Sequence, residues 1–283
     1  MKNIIFFSLL IMAIVMISCK KDKTETLPII VDHYCTNLDE IPVDWINKAK
    51  MNLHIAYGHT SHGSQLITGM TGLMEWKGAP YTWKNGPSQD SLDIRDQVMA
   101  GDLGTDGDLT WEATTRSYLG DWRNEDINVI IWSWCGGVST NSVEGINAYL
   151  DAMNKLEIDF PEVHFVYMTG HLDGSGMDGT LNTNNEIIRK YCRDNNKILF
   201  DFADIESYNP DGEFFLDKGA DDGCNYNKTG IGDGNWAVEW QNSHTQGVDW
   251  FECTSAHSQP LNANLKAYAA WWLWARIAGW SGK

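Results

Sequence analysis

Short, near-continuous apolar runs alternate along this chain with longer stretches whose apolar residues recur every three or four positions. Four runs read as strands covered on both faces: 51–59 (MNLHIAYGH), 127–134 (INVIIWSW), 163–170 (VHFVYMTG) and 197–203 (KILFDFA). Helical spacing follows each of the first three, at 64–76, 139–160 and 182–197, and returns at 262–280. Ser and Thr are available to cap the second helix and Pro161 to stop it; Asn262 or Asn264 is expected to cap the last, and Gly279 to end it. Strand alternating with helix predicts a three-layer α/β/α sandwich around a mostly parallel sheet.

In such sheets ligands bind outside the carboxyl ends of the strands. The residues just past each run are rich in chemistry. The first run ends in Gly58, His59, Thr60, Ser61, His62 and Gly63; the second in Trp134, Cys135, Gly136 and Gly137. The third ends in Gly170, His171 and Asp173, and the fourth leads through Asp201 to Asp204. His257 stands just before the final helix.

The amino terminus predicts export. A lysine, an apolar run and the tail MISC resemble a bacterial lipobox, which implies removal of residues 1–18 and lipidation of Cys19. Residues 19–48 read as a charged tether and N-terminal segment, and 49–283 as one α/β domain. The membrane is then a partner through the lipid alone. Export implies an oxidising compartment. Five further cysteines, an odd number, leave at least one thiol free; loop context favours a Cys224–Cys253 disulfide, and Cys192 reads as a buried thiol.

Composition narrows the function. The formal charge of −17 disfavours a nucleic-acid partner, whose phosphates need Lys and Arg. Fourteen tryptophans are many, and Trp76, Trp83, Trp236 and Trp240 lie in polar, Gly-rich surroundings where exposed rings would suit sugars. Spacing matches no dense metal motif, and the Asp/Gly-rich stretches miss the EF-hand pattern, so neither metal nor cofactor is expected.

The order of these blocks resembles the SGNH (GDSL-type) hydrolase superfamily. GHTSHG occupies its serine block, GDLGTDGD its glycine block and SAHSQPLN its histidine block, over roughly residues 51–280. The resemblance implies a flavodoxin-like sandwich and a serine esterase acting on a carbohydrate or other small ester. It implies Ser61 as nucleophile, His257 as base and Gly104 as an oxyanion donor. This chain departs in three places: the serine block lacks Gly-Asp-Ser, no Asn follows the second run, and Thr254 replaces the Asp expected three residues before His257. Asp173 or Asp204 would then supply the carboxylate a catalytic His requires. His59, His62, His171 and Cys135 would line the pocket. Two other readings stand beside it. A cluster of His59, His62, His171, His257 and Tyr57 suits proton transfer in a polysaccharide lyase. A glycan-binding lipoprotein without catalysis would also use the tryptophans.

Overall fold

The structure is a computed structural model that describes residues 27–104, 107–230 and 233–283. Its centre is a seven-stranded, wholly parallel sheet. The strands are β1 (Ile29–Val31), β2 (His54–Gly58), β3 (Trp83–Lys84), β4 (Leu92–Met99), β5 (Val129–Trp132), β6 (His164–Met168) and β7 (Ile198–Phe200), in the order β1-β7-β6-β5-β2-β4-β3. The four expected runs are thus β2, β5, β6 and β7. All of β5 is buried, as are the last four residues of β2 and of β6, which is why their sequences are apolar without alternation.

The helices are α1 (Val43–Asn52), α2 (Ser64–Lys77), α3 (Thr110–Leu119), α4 (Val143–Asp159), α5 (Thr180–Asp194), α6 (Phe202–Glu206), α7 (Trp236–Ser243) and α8 (Pro260–Ile277). α1, α2, α6 and α7 pack with α8; α3 and α5 pack with α4. The result is the expected three-layer sandwich. α5 buries Leu181, Asn184, Asn185, Ile188, Arg189 and Cys192, one stripe at helical spacing. In α8, 14 of 18 residues are buried, so it is a core helix rather than a surface one. It starts at Pro260, with Gln259 in the cap position, and not at Asn262 or Asn264. Both asparagines are buried inside its first turns, where Asn264 clamps the backbone of Phe251 through both its amide atoms. α2 comes unusually near α8: a β-carbon on Gly69 would stand 2.1 Å from the Ala263 carbonyl oxygen.

Of the segment 19–48, the described residues, 27–48, are folded. β1 pairs with β7, and α1 packs on α8, so the domain takes in residues from Leu27 onward. Residues 1–26, with Cys19, lie outside the described residues.

Between β2 and β5 the sheet reverses its direction of growth: the chain first adds β4 and β3 on one side, then β5, β6 and β7 on the other. The loops leaving β2 and β5 therefore diverge and open a crevice between them.

Candidate active site

The crevice holds the turn 59–63 and the loop that begins at Ser133. Gly63 lets them meet. A β-carbon there would stand 2.1 Å from Ser133 Oγ and 2.4 Å from His59 Cβ. Tyr57 braces the turn from below, its hydroxyl donating to the Gly63 carbonyl at 2.9 Å. This tyrosine is 1 % exposed, and burial pushes its pKa well up, so it does not stand at the mouth as a proton-transfer group.

Cys135 and His62 face each other across the crevice, with Sγ 3.2 Å from Nδ1. The other ring nitrogen, Nε2, lies 2.8 Å from Asp222 Oδ2. Thiol, imidazole and carboxylate form one continuous chain of contacts. Ser61 Oγ lies 3.0 Å from the same sulfur. Burial opposes the thiolate, but hydrogen bonds from Ser61, Thr60 and both the ring and backbone of His62 outweigh it. They pull the thiol from 9.0 down to about 7. The amino-terminal end of α2, just beyond Gly63, adds a favourable dipole for an anion. Burial likewise opposes the His62 cation, yet the bonds to Asp222 and Cys135 raise its pKa. Burial would raise Asp222 too, but His62 and His171 hold it below the usual carboxylate range. The three directions agree on a thiolate–imidazolium pair backed by a carboxylate.

Two more imidazoles stack on His62: His171, with ring centroids 3.7 Å apart and planes 2° from parallel, and His257 at 4.5 Å and 18°. The Gly136 N–H donates to His171 Nε2 at 3.1 Å, which leaves Nδ1 to donate to the Leu172 carbonyl at 2.8 Å.

The expected residues are redistributed. Ser61 is at the site beside the sulfur; among the described residues its hydroxyl meets no histidine. His257 is exposed, with φ +61°, and stacks on the base instead of facing Ser61. Asp173 is turned to the backbone and hydroxyl of Ser175, at 2.9 and 2.5 Å. Asp204 belongs to His33, accepting from its backbone at 2.9 Å and meeting its Nδ1 at 2.5 Å, on the far side of β7. His59 is spent on structure: Nε2 is 2.6 Å from Asp96 of β4 and Nδ1 2.8 Å from the Thr60 carbonyl. Gly104 follows the Leu103–Trp134 bridge at the edge of the site and packs on Asp108.

The carboxylate that the sequence did not reveal is Asp222. Its stretch, 219–224 (GADDGC), reads as Asp/Gly turns. The fold brings it in through a bridge between Asp173 and Asp221 and a bond from Gly174 N to the Ala220 carbonyl at 3.2 Å.

The expected disulfide is absent: Cys224 and Cys253 are both free thiols, as are Cys35, Cys135 and Cys192. Cys224 Sγ is beside Ser258 Oγ at 3.4 Å, and Cys253 Sγ beside the Pro260 carbonyl at 3.8 Å, so the two look onto different sides of the 253–260 loop. Trp236 and Trp240 are core residues rather than exposed plates, and Trp76 and Trp83 are half-buried against the core.

His62, His171 and Asp222 also bring three donor atoms within 4.8 Å of one another. A metal there would have to take His171 Nε2 from Gly136 and His62 Nε2 from Asp222. The parallel rings aim their lone pairs side by side, whereas a tetrahedral ion needs them to converge.

No family model matches the sequence, and no curated protein matches it. Among solved structures, a protein from Bacteroides fragilis named as a "putative acylhydrolase" is similar at 9% identity and a TM-score of 0.34, over 60% of this chain and 76% of that one. A likeness at that level establishes no shared activity.

Proposed function

We propose that this protein is an acyl hydrolase that works through a cysteine. The observation that carries the reading is His62, held between the Cys135 thiol and the Asp222 carboxylate. The Cys135 thiolate attacks the carbonyl carbon of an ester. The tetrahedral intermediate collapses as His62 Nδ1 gives its proton to the departing alcohol oxygen, leaving a thioester. Water then attacks that thioester while His62 takes one of its protons. The sulfur leaves as thiolate and the carboxylic acid is released. Asp222 fixes the tautomer and supports the cation at each stage. Ser61, the nucleophile implied by the family resemblance, becomes a donor that steadies the thiolate. A serine hydroxyl needs a base to take its proton, and the base in reach already serves the sulfur.

We place the substrate among acyl-decorated carbohydrates or other small esters, met outside the cytoplasm by a protein tethered through lipid on Cys19. Support comes from the lipobox-like tail and the excess of acidic residues, which suits neutral partners better than polyanions. The test is a panel of acetylated glycans and p-nitrophenyl acetate with wild-type and Cys135→Ala protein. Acetate release that depends on Cys135 supports the reading; release unaffected by its loss defeats it. Membrane fractionation of Cys19→Ser tests the anchor separately: the variant should be soluble.

A further inference from the structure

Beneath the stacked imidazoles lies a polar cluster that the proposed chemistry does not use. Lys266 of α8 and Glu206 at the end of α6 are both 0% exposed, and Lys266 Nζ lies 2.5 Å from Glu206 Oε1. A charged pair so deep in a core seldom improves stability over apolar packing. Its place in the fold shows what it reaches.

Three arms leave it. The first goes to His171: Glu206 Oε2 accepts the Leu172 N–H at 2.8 Å, and the Leu172 carbonyl accepts His171 Nδ1. The second runs through Gln65, in the first turn of α2 and three residues past His62. Its Oε1 accepts from Lys266, and its Nε2 donates at 2.5 Å to the Ala256 carbonyl, next to His257. The third is Asn262, whose amide meets Glu206 Oε1 at 3.2 Å and Ser258 Oγ at 2.7 Å, on the other side of His257. One buried pair is thereby linked, directly at Leu172 and through the side chains of Gln65 and Asn262, to segments that carry the three stacked rings.

We propose that the Lys266–Glu206 pair is the positioning element of this site, setting the loops that stack His171 and His257 on His62 and thereby the attack geometry at Cys135. This rests on the thiol reading above. Glu206 and Lys266 touch no reacting atom; they act through Leu172, Gln65 and Asn262. The three arms start from α2, α6 and α8, and the buried pair is where they join.

Two reagents separate positioning from folding. Iodoacetamide alkylates sulfur by displacement and needs only a thiolate. p-Nitrophenyl acetate loses its phenolate without a proton, but attack on its carbonyl still needs the thiolate held in line and the oxyanion settled, and it acetylates Cys135 with release of p-nitrophenolate. The double variant Glu206→Gln/Lys266→Met removes both charges together and so leaves no unpaired buried ion. Gln65→Leu cuts one arm and keeps the pair. Both are compared with wild type by thermal melting, by alkylation at pH 9.5 and by the acetylation burst, with Cys135 followed by peptide mass. We expect alkylation within about 2-fold of wild type for both. Acetylation should fall roughly 10- to 100-fold in the double variant and several-fold in Gln65→Leu, the scale of a misplaced reacting group. If the double variant does not fold, Gln65→Leu alone decides. Acetylation at the wild-type rate in a folded variant overturns the positioning role and leaves the thiol reading intact. A wild-type Cys135 that neither alkylates near neutral pH nor becomes acetylated overturns both.

Discussion

The Ser61 hydroxyl stands 3.0 Å from Cys135 Sγ, where it donates once the sulfur is a thiolate. The two nucleophile candidates of this crevice are thereby ranked by their own contact. Ser61→Ala should retain turnover of p-nitrophenyl acetate, lowered roughly 10-fold near neutral pH by loss of one charge-assisted hydrogen bond. Cys135→Ala should lose on the order of 10³-fold or more. A serine-directed fluorophosphonate should leave Ser61 unmodified, and iodoacetamide should modify Cys135. Peptide mass spectrometry reads both outcomes.

The pH dependence follows from opposite displacements of two neighbours. Cys135 is lowered to about 7, so alkylation should rise with pH through that region. His62 is raised above its ordinary 6.5, so its proton is lost only beyond that. Acyl transfer from an alkyl ester needs both charged forms and should be bell-shaped, climbing as the thiol ionises and falling as the imidazolium that protonates the leaving alcohol is lost. The two limbs belong to the pair and not to either residue alone. In His62→Gln the alkylation limb should move up toward 9.0, the ordinary value for a thiol. A limb that stays near 7 would show that His62 does not hold the thiolate.

Asp222→Asn should preserve the shape of the site and spoil its tautomer. We expect kcat to fall by roughly 10²- to 10⁴-fold, with KM little changed. Stability gives a second readout. The carboxyl pKa is lower in the folded than in the unfolded protein, so it contributes stability above the unfolded value of 3.8. That contribution is lost as pH falls through the lower, folded value. Melting temperature should therefore drop less steeply below pH 4 in Asp222→Asn than in wild type.

Gly63→Ala tests the turn itself. The added carbon meets Ser133 Oγ, His59 Cβ and Tyr57 Oη at 2.1, 2.4 and 2.7 Å, all in a packed environment. Overpacking of this kind costs about 1–3 kcal/mol. Chemical denaturation should show that loss, and acetylation of Cys135 should fall with it, because His62 is the preceding residue.

Native thiol titration should show one fast cysteine among the five of the described residues. Cys135 is half-buried with a depressed pKa. Burial pushes Cys35, Cys224 and Cys253 up to about 12, and Cys192 higher still. Non-reducing peptide maps should contain no Cys224–Cys253 link.

The sheet was legible because apolar runs without alternation have few other uses in a chain of this size. β4 escaped notice: LDIRDQVM carries Asp93, Arg95 and Asp96, which look like a solvated stretch. Those charges are paired, Arg95 with Asp93 and Asp126, and Asp96 with His59. The crevice was legible from strand ends, and the structure sets Ser61, His62, Cys135, His171 and His257 around it while turning Asp173 and Asp204 to other partners. Their roles were not legible. Whether His62 or His257 faces a nucleophile depends on which way a turn points its side chains, and periodicity carries no such information. Asp222 was hidden because a long-range bridge, Asp173 to Asp221, places it, while its local sequence describes only a turn.

The contact between Gln65 and Lys266 spans 201 positions of sequence. Closing so wide a loop is slow and comes after local structure has formed. α8 also packs with α1, α2, α6 and α7, so the anchor beneath the imidazoles closes together with the layer around it. Chemical competence would arrive as one of the last events of maturation, with the closing of that layer.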